Sequence, residues 1–452
     1  MKSRSKSCAW ISVCLLSVPV FHSLTPSTFV QQAAAQTPSA EDLKRHRNRG
    51  LAMLQLMKDY LKEYYYDPKF HNIDLDARFK TAEDRMREAV NLGQVLGIVA
   101  QTLSDLDDSH TFFVPPPHAV DVEYGWKMQM IGDTCYVVSV KPGSDAEAQG
   151  LAPGDEVVSM DGFRPTRRIL WKMDYNYDVL RPQPGKRVVV RTPEGQQREL
   201  ALKAKVEKKP KQINLTEWYN EANEDREDEK KLARYYELGD EVFIWKLREF
   251  GLTESKVDDT MRKAAKYKGL ILDLRANRGG FEETLKRMVG YFFNRDIVLG
   301  VIKRRKESKA FNAKTRGNKA FPGKLIVLID SQSGSAAELF ARVIQLEKRG
   351  TVIGDLSAGA VMRSIFRPGL LGDMSSGNMI PYGASITDAD IIMSDGNSLE
   401  RVGVSPDEVV LPTARDLAAR RDPVLARAAE LLGASLSPEK AGSLFPQEKE
   451  IR

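Results

Sequence analysis

The spacing of apolar positions changes character along the chain, and each change marks a different kind of structure. Between residues 39 and 106, Met53, Leu54, Met57, Leu61 and Tyr64 recur at three- and four-residue steps, and Leu92, Val95, Val99 and Leu103 resume that spacing after a break beginning near Asp67-Pro68. Such a period draws one apolar stripe along a helix, so a helical N-terminal region is expected over 39–115. Pro115-Pro116-Pro117 ends it, because consecutive prolines lack amide donors and hold an extended backbone. From 120 to 206 the apolar residues fall in short β-rich runs, at 134–140, 156–160 and 187–190, punctuated by glycine turns, which predicts a separate small β module. Residues 207–234 are polar and dense in both charge signs, the composition of a linker. From 235 to 414, the largely apolar runs 270–274 and 325–329 are each followed by a turn and a helical pattern, the mark of βα crossovers onto a buried sheet. The tail, 415–452, is expected to hold one helical stretch at 424–432 and then a mobile polar end.

With 452 residues, 42% apolar and 29% charged, the chain has the make-up of a multi-domain globular protein, neither fibrous nor wholly disordered. Lys2, Arg4 and Lys6 precede an apolar run at 9–21, and Ala33-Ala34-Ala35 offers a small-residue cleavage site. That is the layout of a secretory signal over 1–35, so export to a periplasm or the extracellular space is expected, with no stable membrane insertion after cleavage. The formal net charge is +6, and removal of the signal takes three positive charges with it, leaving too weak a bias to imply nucleic acid. The basic run Lys303-Arg304-Arg305-Lys306 belongs to no recognisable nucleic-acid reader and reads as a solvated face or a contact for an acidic substrate. Only Cys135 lies beyond the signal, so no intramolecular disulfide is expected in the mature chain. Five scattered histidines, with neither a CxxC pair nor an HExxH helix, give no recognisable metal site, and no cofactor is expected.

Two stretches carry candidate chemistry. Asp330-Ser331-Gln332-Ser333-Gly334-Ser335-Ala336-Ala337-Glu338 is a small-residue turn between an apolar strand and a helix. Ser335 at the helix start would have free N–H groups and the helix dipole beside it, where an oxyanion is stabilised. The plainer reading makes Ser335 an N-cap completed by Glu338 in a capping box. The second stretch, 269–280, is a buried strand ending in Gly279-Gly280, which would bring bare amides to the carboxyl edge of the sheet. One of those amides and that of Ala336 are the candidate oxyanion hole.

These elements resemble those of the C-terminal processing (tail-specific) serine peptidases and the related tricorn core peptidases. The strand-Arg-x-Asn-x-Gly-Gly element matches as Leu274-Arg275-Ala276-Asn277-Arg278-Gly279-Gly280, the nucleophile element as Gly334-Ser335-Ala336-Ala337-Glu338, and a closing Glu-x-x-Gly-Val-x-Pro-Asp element as 400–407. With the elements below, the resemblance spans about 106–411. Many bacterial members place a lysine in Gly-x-x-x-x-Gly-Lys. Here 354–360 reads Gly-Asp-Leu-Ser-Ala-Gly-Ala, and Ala360 has no proton-accepting group, so a Ser-Lys dyad at that position is excluded. The tricorn-like branch uses a histidine ahead of the β module, matched by Ser109-His110. By that resemblance His110 is the general base for Ser335, and Ser109 and Glu400 complete the catalytic set. His118, after the three prolines, is a weaker rival.

The β module resembles a PDZ domain through 140–157 and Asp161-Gly162, which implies capture of an extended peptide with its carboxylate near Tyr124, Gly125 and Trp126, although the usual Gly-Leu-Gly-Phe pattern is poorly kept there. The resemblance implies a multi-domain α+β protein: a helical N-terminal region, a PDZ-like β module and an α/β catalytic core of the tail-specific protease, crotonase-like (ClpP-like) type. Its function would be that of a secreted serine endopeptidase acting on unfolded or C-terminally exposed polypeptides. The alternative is a catalytically silent peptide-binding or scaffold protein that kept the fold, for which Ala360 is the support.

Overall fold

The computed structural model of the protein describes residues 39–208, 233–371 and 380–445. The expected signal, most of the expected linker and the end of the tail lie outside them. Three helices come first, α1 (Ala40–Tyr64), α2 (Leu75–Glu88) and α3 (Leu92–Ser104). Each starts where the sequence supplies a cap: Ser39, Asp74 and Asn91 accept a first-turn N–H. Met53, Met57 and Leu61 of α1 pack on Phe79 and Met86 of α2 and on Val95, Val99 and Leu103 of α3. Strand β1 (Phe112–Val114) follows.

The β module contains β2 (Val120–Glu123), β3 (Trp126–Ile131), β4 (Thr134–Val140), α4 (Asp145–Ala148), β5 (Glu156–Met160), α5 (Leu170–Asp174), β6 (Gly185–Arg191), β7 (Gln197–Lys203) and β8 (Lys205–Lys208). A π-helical turn, Tyr175–Leu180, continues α5. Strands β3-β4-β5-β6-β7 form one antiparallel sheet in that order, and β2 pairs with β8. Alternate residues, Val137, Val188, Val190 and Leu202 among them, point into its core.

The large unit runs β9 (Ala233–Leu238), β10 (Val242–Leu247), α6 (Glu254–Ala264), β11 (Gly269–Asp273), α7 (Glu282–Gly290), β12 (Ile297–Arg304), β13 (Ser308–Ala313), β14 (Lys324–Ile329), α8 (Ala336–Leu346), β15 (Thr351–Gly354), β16 (Met362–Leu371), β17 (Ile380–Met393), β18 (Glu408–Val409), α9 (Ala414–Ala418), α10 (Pro423–Leu431) and α11 (Pro438–Leu444). Its first sheet has the order β18-β15-β14-β11-β10-β9, parallel except for the β9–β10 hairpin. One face, with Trp245, Leu272 and Val327, is covered by α6, α7 and α8. The other, with Ile244, Ile271 and Leu328, is covered by Leu425, Ala428 and Ala429 of α10 and Ala441 of α11. The tail therefore departs from the expected mobile end as far as residue 445: a parallel sheet is apolar on both faces, and α10 and α11 supply the second cover.

A second sheet, β1-β17-β12-β13 with β16 on β17, goes beyond what the crossover pattern predicts. The basic run sits at the β12–β13 hairpin, where Arg304 pairs with Glu307 at 3.0 Å and Asp388 at 3.4 Å. Through β1, which pairs antiparallel with β17, the chain leaving the helical region is stitched into the large unit.

At the end of β11, Asp273 is fully buried. Burial alone would push its carboxyl up, but Arg275 and Lys246 hold it well below the usual carboxylate range. Arg275 reaches from Asp273 (2.9 Å) to Asp422 (2.7 Å) at the start of α10. An Arg275→Met substitution strands Asp422 and leaves the fully buried Asp273 with Lys246 alone, at 3.3 Å, so it is expected to destabilise the protein by roughly 3–5 kcal/mol, read as a lowered urea midpoint. Retention of the wild-type midpoint would show that this ion pair does not tie α10 to the sheet.

Candidate active site

Because β11 and β14 are parallel neighbours with Asp273 opposite Leu328, the turns leaving them emerge at the same sheet edge. Ser333 Oγ donates to the Leu274 carbonyl at 2.8 Å, and the Gly334 N–H donates to the Asn277 carbonyl at 2.8 Å. The turn after β15 closes on the same place: the Ala358 N–H reaches the Ser333 carbonyl and the Ser335 N–H the Ala360 carbonyl, both at 2.9 Å. Ser335 stands at the start of α8 with φ 51° and ψ −118°. A non-glycine residue rarely adopts such a backbone, and here three converging turns hold it. Gly279, at φ 107°, lies so close that a Cβ on it would come within 2.6 Å of the Ser335 Cβ, so only glycine fits.

The two glycines left open by the sequence are not equivalent. The Gly279 N–H donates to Asn277 Oδ1 at 2.8 Å, and the buried Asn277 is fixed in turn by donating to the Leu247 carbonyl at 2.9 Å. The Gly280 N–H makes no hydrogen bond among the described residues, and Ala336, the first residue of α8, has an N–H with no partner inside the helix.

Ser109 and His110 lie in the loop between α3 and β1. Ser109 Oγ donates to Glu400 Oε2 at 2.8 Å and is 2.7 Å from His110 Nδ1. A carboxylate only accepts, so the single Ser109 proton goes to Glu400 and His110 must donate from Nδ1. That bookkeeping leaves the Nε2 lone pair free. Glu400 also accepts from the Ser109 N–H (2.8 Å) and the Val361 N–H (2.9 Å). Val361 follows Ala360, whose carbonyl holds the Ser335 N–H, so Ser335, Glu400, Ser109 and His110 are joined through one hydrogen-bonded stretch. Burial lowers the His110 pKa below the usual 6.5, opposed by Asp108 and reinforced by Arg401. Burial raises that of Glu400, against its donors.

The remaining sequence candidates lie elsewhere. His118 Nε2 is 2.7 Å from the Val179 carbonyl and takes no part in this stretch. Tyr124 and Trp126 are buried in the β module, and Lys186 Nζ sits 3.4 Å from the Tyr124 ring centroid and 5.9 Å from that of Trp126. Gly125 has φ 74° beside Ser144. This module touches the site through its β3–β4 hairpin, where Gln129 donates to Asp330 at 2.8 Å, and through the loop between β5 and α5, where Arg167 donates to Asp355 at 2.6 Å. Among the described residues no group of three or more His, Cys, Asp or Glu side chains gathers as metal ligands would.

Sequence reasoning finds Glu338 only as half of a helix cap. Its carboxylate does accept the Ser335 N–H at 3.0 Å, but it also accepts from Ser357 Oγ (2.6 Å), the Gly359 N–H (2.7 Å) and the Ala360 N–H (2.9 Å). Burial pushes Glu338 up to about 7 despite these four donors. A carboxyl whose pKa is higher folded than unfolded adds stability that is whole below about 4.5 and disappears as pH rises through about 7. The loss is on the order of 3 kcal/mol. The wild-type urea midpoint should therefore fall between pH 5 and 8, and Glu338→Gln should flatten that slope. A parallel decline in the two proteins would contradict the assignment.

Residues 243–410 match the family model for Peptidase family S41. The carboxy-terminal-processing protease of Bartonella bacilliformis is 31% identical over 150 residues, 32% of this chain and 31% of that relative. The carboxy-terminal processing protease CtpB of Bacillus subtilis is 24% identical over 335 residues, 69% of this chain and 61% of the relative. The chain thus spans 31% of the length of the Bartonella relative and 61% of the Bacillus one. Among solved structures, mature CPAF complexed with lactacystin has a TM-score of 0.63 at 13% identity, covering 86% of this chain and 97% of that one. The photosystem II D1 C-terminal processing protease has a TM-score of 0.51 at 19% identity, covering 86% and 99%. At these identities the structural likeness shows the fold, a mixed α+β architecture with a helical N-terminal region and several sheets. Family match, curated relatives and fold converge on one conclusion: residues 243–410 match Peptidase family S41, and the chain is similar to the carboxy-terminal processing proteases.

Proposed function

We propose that this chain is a secreted serine endopeptidase that hydrolyses unstructured polypeptide through an acyl-enzyme on Ser335. The observation that carries this reading is the hydrogen-bonded set His110–Ser109–Glu400, joined through Val361 and Ala360 to the strained Ser335. In the reaction His110 Nε2 takes the Ser335 proton as Oγ attacks the scissile carbonyl. The oxyanion that forms is met by the Ala336 and Gly280 N–H groups, and His110 then protonates the leaving amine. Water, deprotonated by the same imidazole, hydrolyses the ester and restores Ser335. Glu400 acts through Ser109, keeping the imidazole in the tautomer with Nε2 bare.

The module at 120–206 is read as PDZ-like, presenting an extended chain along the open edge of β3 near Tyr124, Gly125 and Trp126. The basic and apolar leader at 1–35 supports export. Ala360 favours an inert scaffold only if lysine is the sole possible base, and the His110 set supplies another.

Hydrolysis of an unfolded protein should drop to background in Ser335→Ala and by about 10²–10⁴-fold in His110→Ala, with the acid limb of kcat/KM below 6.5 because burial lowers the imidazole pKa. Lactacystin, seen bound in the CPAF structure, should add its acyl mass to wild type and not to Ser335→Ala. Equal labelling or equal hydrolysis by wild type and Ser335→Ala would favour the scaffold.

A further inference from the structure

We propose that Asp108 is a positioning residue for His110, supplying the buried counter-charge for the imidazolium formed during acylation, and that Tyr65 and a left-handed turn at His71 hold it there. This rests on His110 being the base.

Asp108 is 2% exposed, and no lysine or arginine pairs with it among the described residues. Its partners are all neutral donors. Oδ1 accepts from the His110 N–H (2.9 Å), the Thr111 N–H (2.6 Å) and Thr387 Oγ1 of β17 (2.8 Å), while Oδ2 accepts from the Tyr65 hydroxyl (2.8 Å). A buried carboxylate without a cation is costly to maintain, and the His110 ring, on which the Asp108 charge acts directly, is a group two residues away that can become one. Glu400 is less suited to balance that charge, because it acts through Ser109 and its own charge is shared with Arg401 at 3.5 Å.

The clamp behind Asp108 is built with some strain. Phe70, His71 and Asn72 have φ of 48°, 54° and 65°, a rare run for three residues that are not glycine. Asp67 fixes the turn by accepting from the Lys69 N–H at 2.9 Å and the His71 N–H at 2.7 Å. The turn aims His71 Nδ1 at the Leu106 carbonyl (2.8 Å) and Nε2 at the Tyr66 hydroxyl (2.8 Å). The loop carrying Ser109 and His110 is thereby held at Leu106 and at Asp108, both times from the helical region.

The charged groups acting on His110 are Asp108 on its own loop and Arg401 from the segment after β17, with Glu400 reaching it through Ser109; Asp107 is paired with Arg168 and Lys172 of the β module and with Arg401. Removing the Asp108 charge should lower the His110 pKa, because the imidazolium loses a favourable neighbour. The test measures fluorophosphonate labelling of Ser335 against pH, together with thermal stability. Asp108→Asn should lower the plateau about ten-fold or more and move the acid-limb midpoint to lower pH. Tyr65→Phe, which keeps the charge, should slow labelling at least three-fold with the midpoint in place. A slower Asp108→Asn enzyme with an unmoved midpoint would make Asp108 merely structural and overturn the proposal. If Asp108→Asn does not fold, Tyr65→Phe decides: slowing at unchanged Tm supports the proposal, and a wild-type rate overturns it. Should His110→Ala label like wild type across the pH range, the base assignment itself fails, a result distinguishable from either.

Discussion

Glu338 has no solvent to stabilise its carboxylate, so the four donors around it must stay where they are, and this constraint holds the site together. Two of its donors are amides of the turn after β15, one is a hydroxyl of the same turn, and the fourth is the N–H of Ser335 itself. One side chain thus locks the nucleophile turn against the loop that leads through Ala360 and Val361 to Glu400. The close contact of Gly279 with Ser335 adds a third turn to the same knot. Loosening any of these would free Ser335 to relax toward ordinary backbone angles.

The β11 and β14 strands, the β-module strands and the α1 stripe are legible because each is local: a period of two or of 3.6 residues reveals which face is buried. The antiparallel sheet of β12, β13, β16 and β17 is not. A bulge between Val298 and Gly300 breaks the alternation in β12, and the charges at the hairpin read as a solvated patch. The cover given by α10 and α11 is half legible, since α10 has a helical pattern but nothing in its own sequence says which sheet face it meets.

At the site, the residues carried by motifs can be named in advance, and their partners cannot. Ser335, His110, Ser109 and Glu400 sit in short recognisable strings, whereas Asp108 looks like one more acid in Asp107-Asp108 until folding brings Tyr65 and Thr387 to it. Likewise the sequence cannot distinguish Gly279 from Gly280. Only the Asn277 side chain, which occupies the amide of the first, separates them. Second partners of this kind are set by tertiary contact, where spacing carries no signal.

Ser109 and Glu400 meet across 291 positions of sequence. On the proposed mechanism, a ribosome makes the imidazole long before it makes the acid that would orient it. The nascent polypeptide would then travel unarmed, with reactivity arising only after most of it has been synthesised.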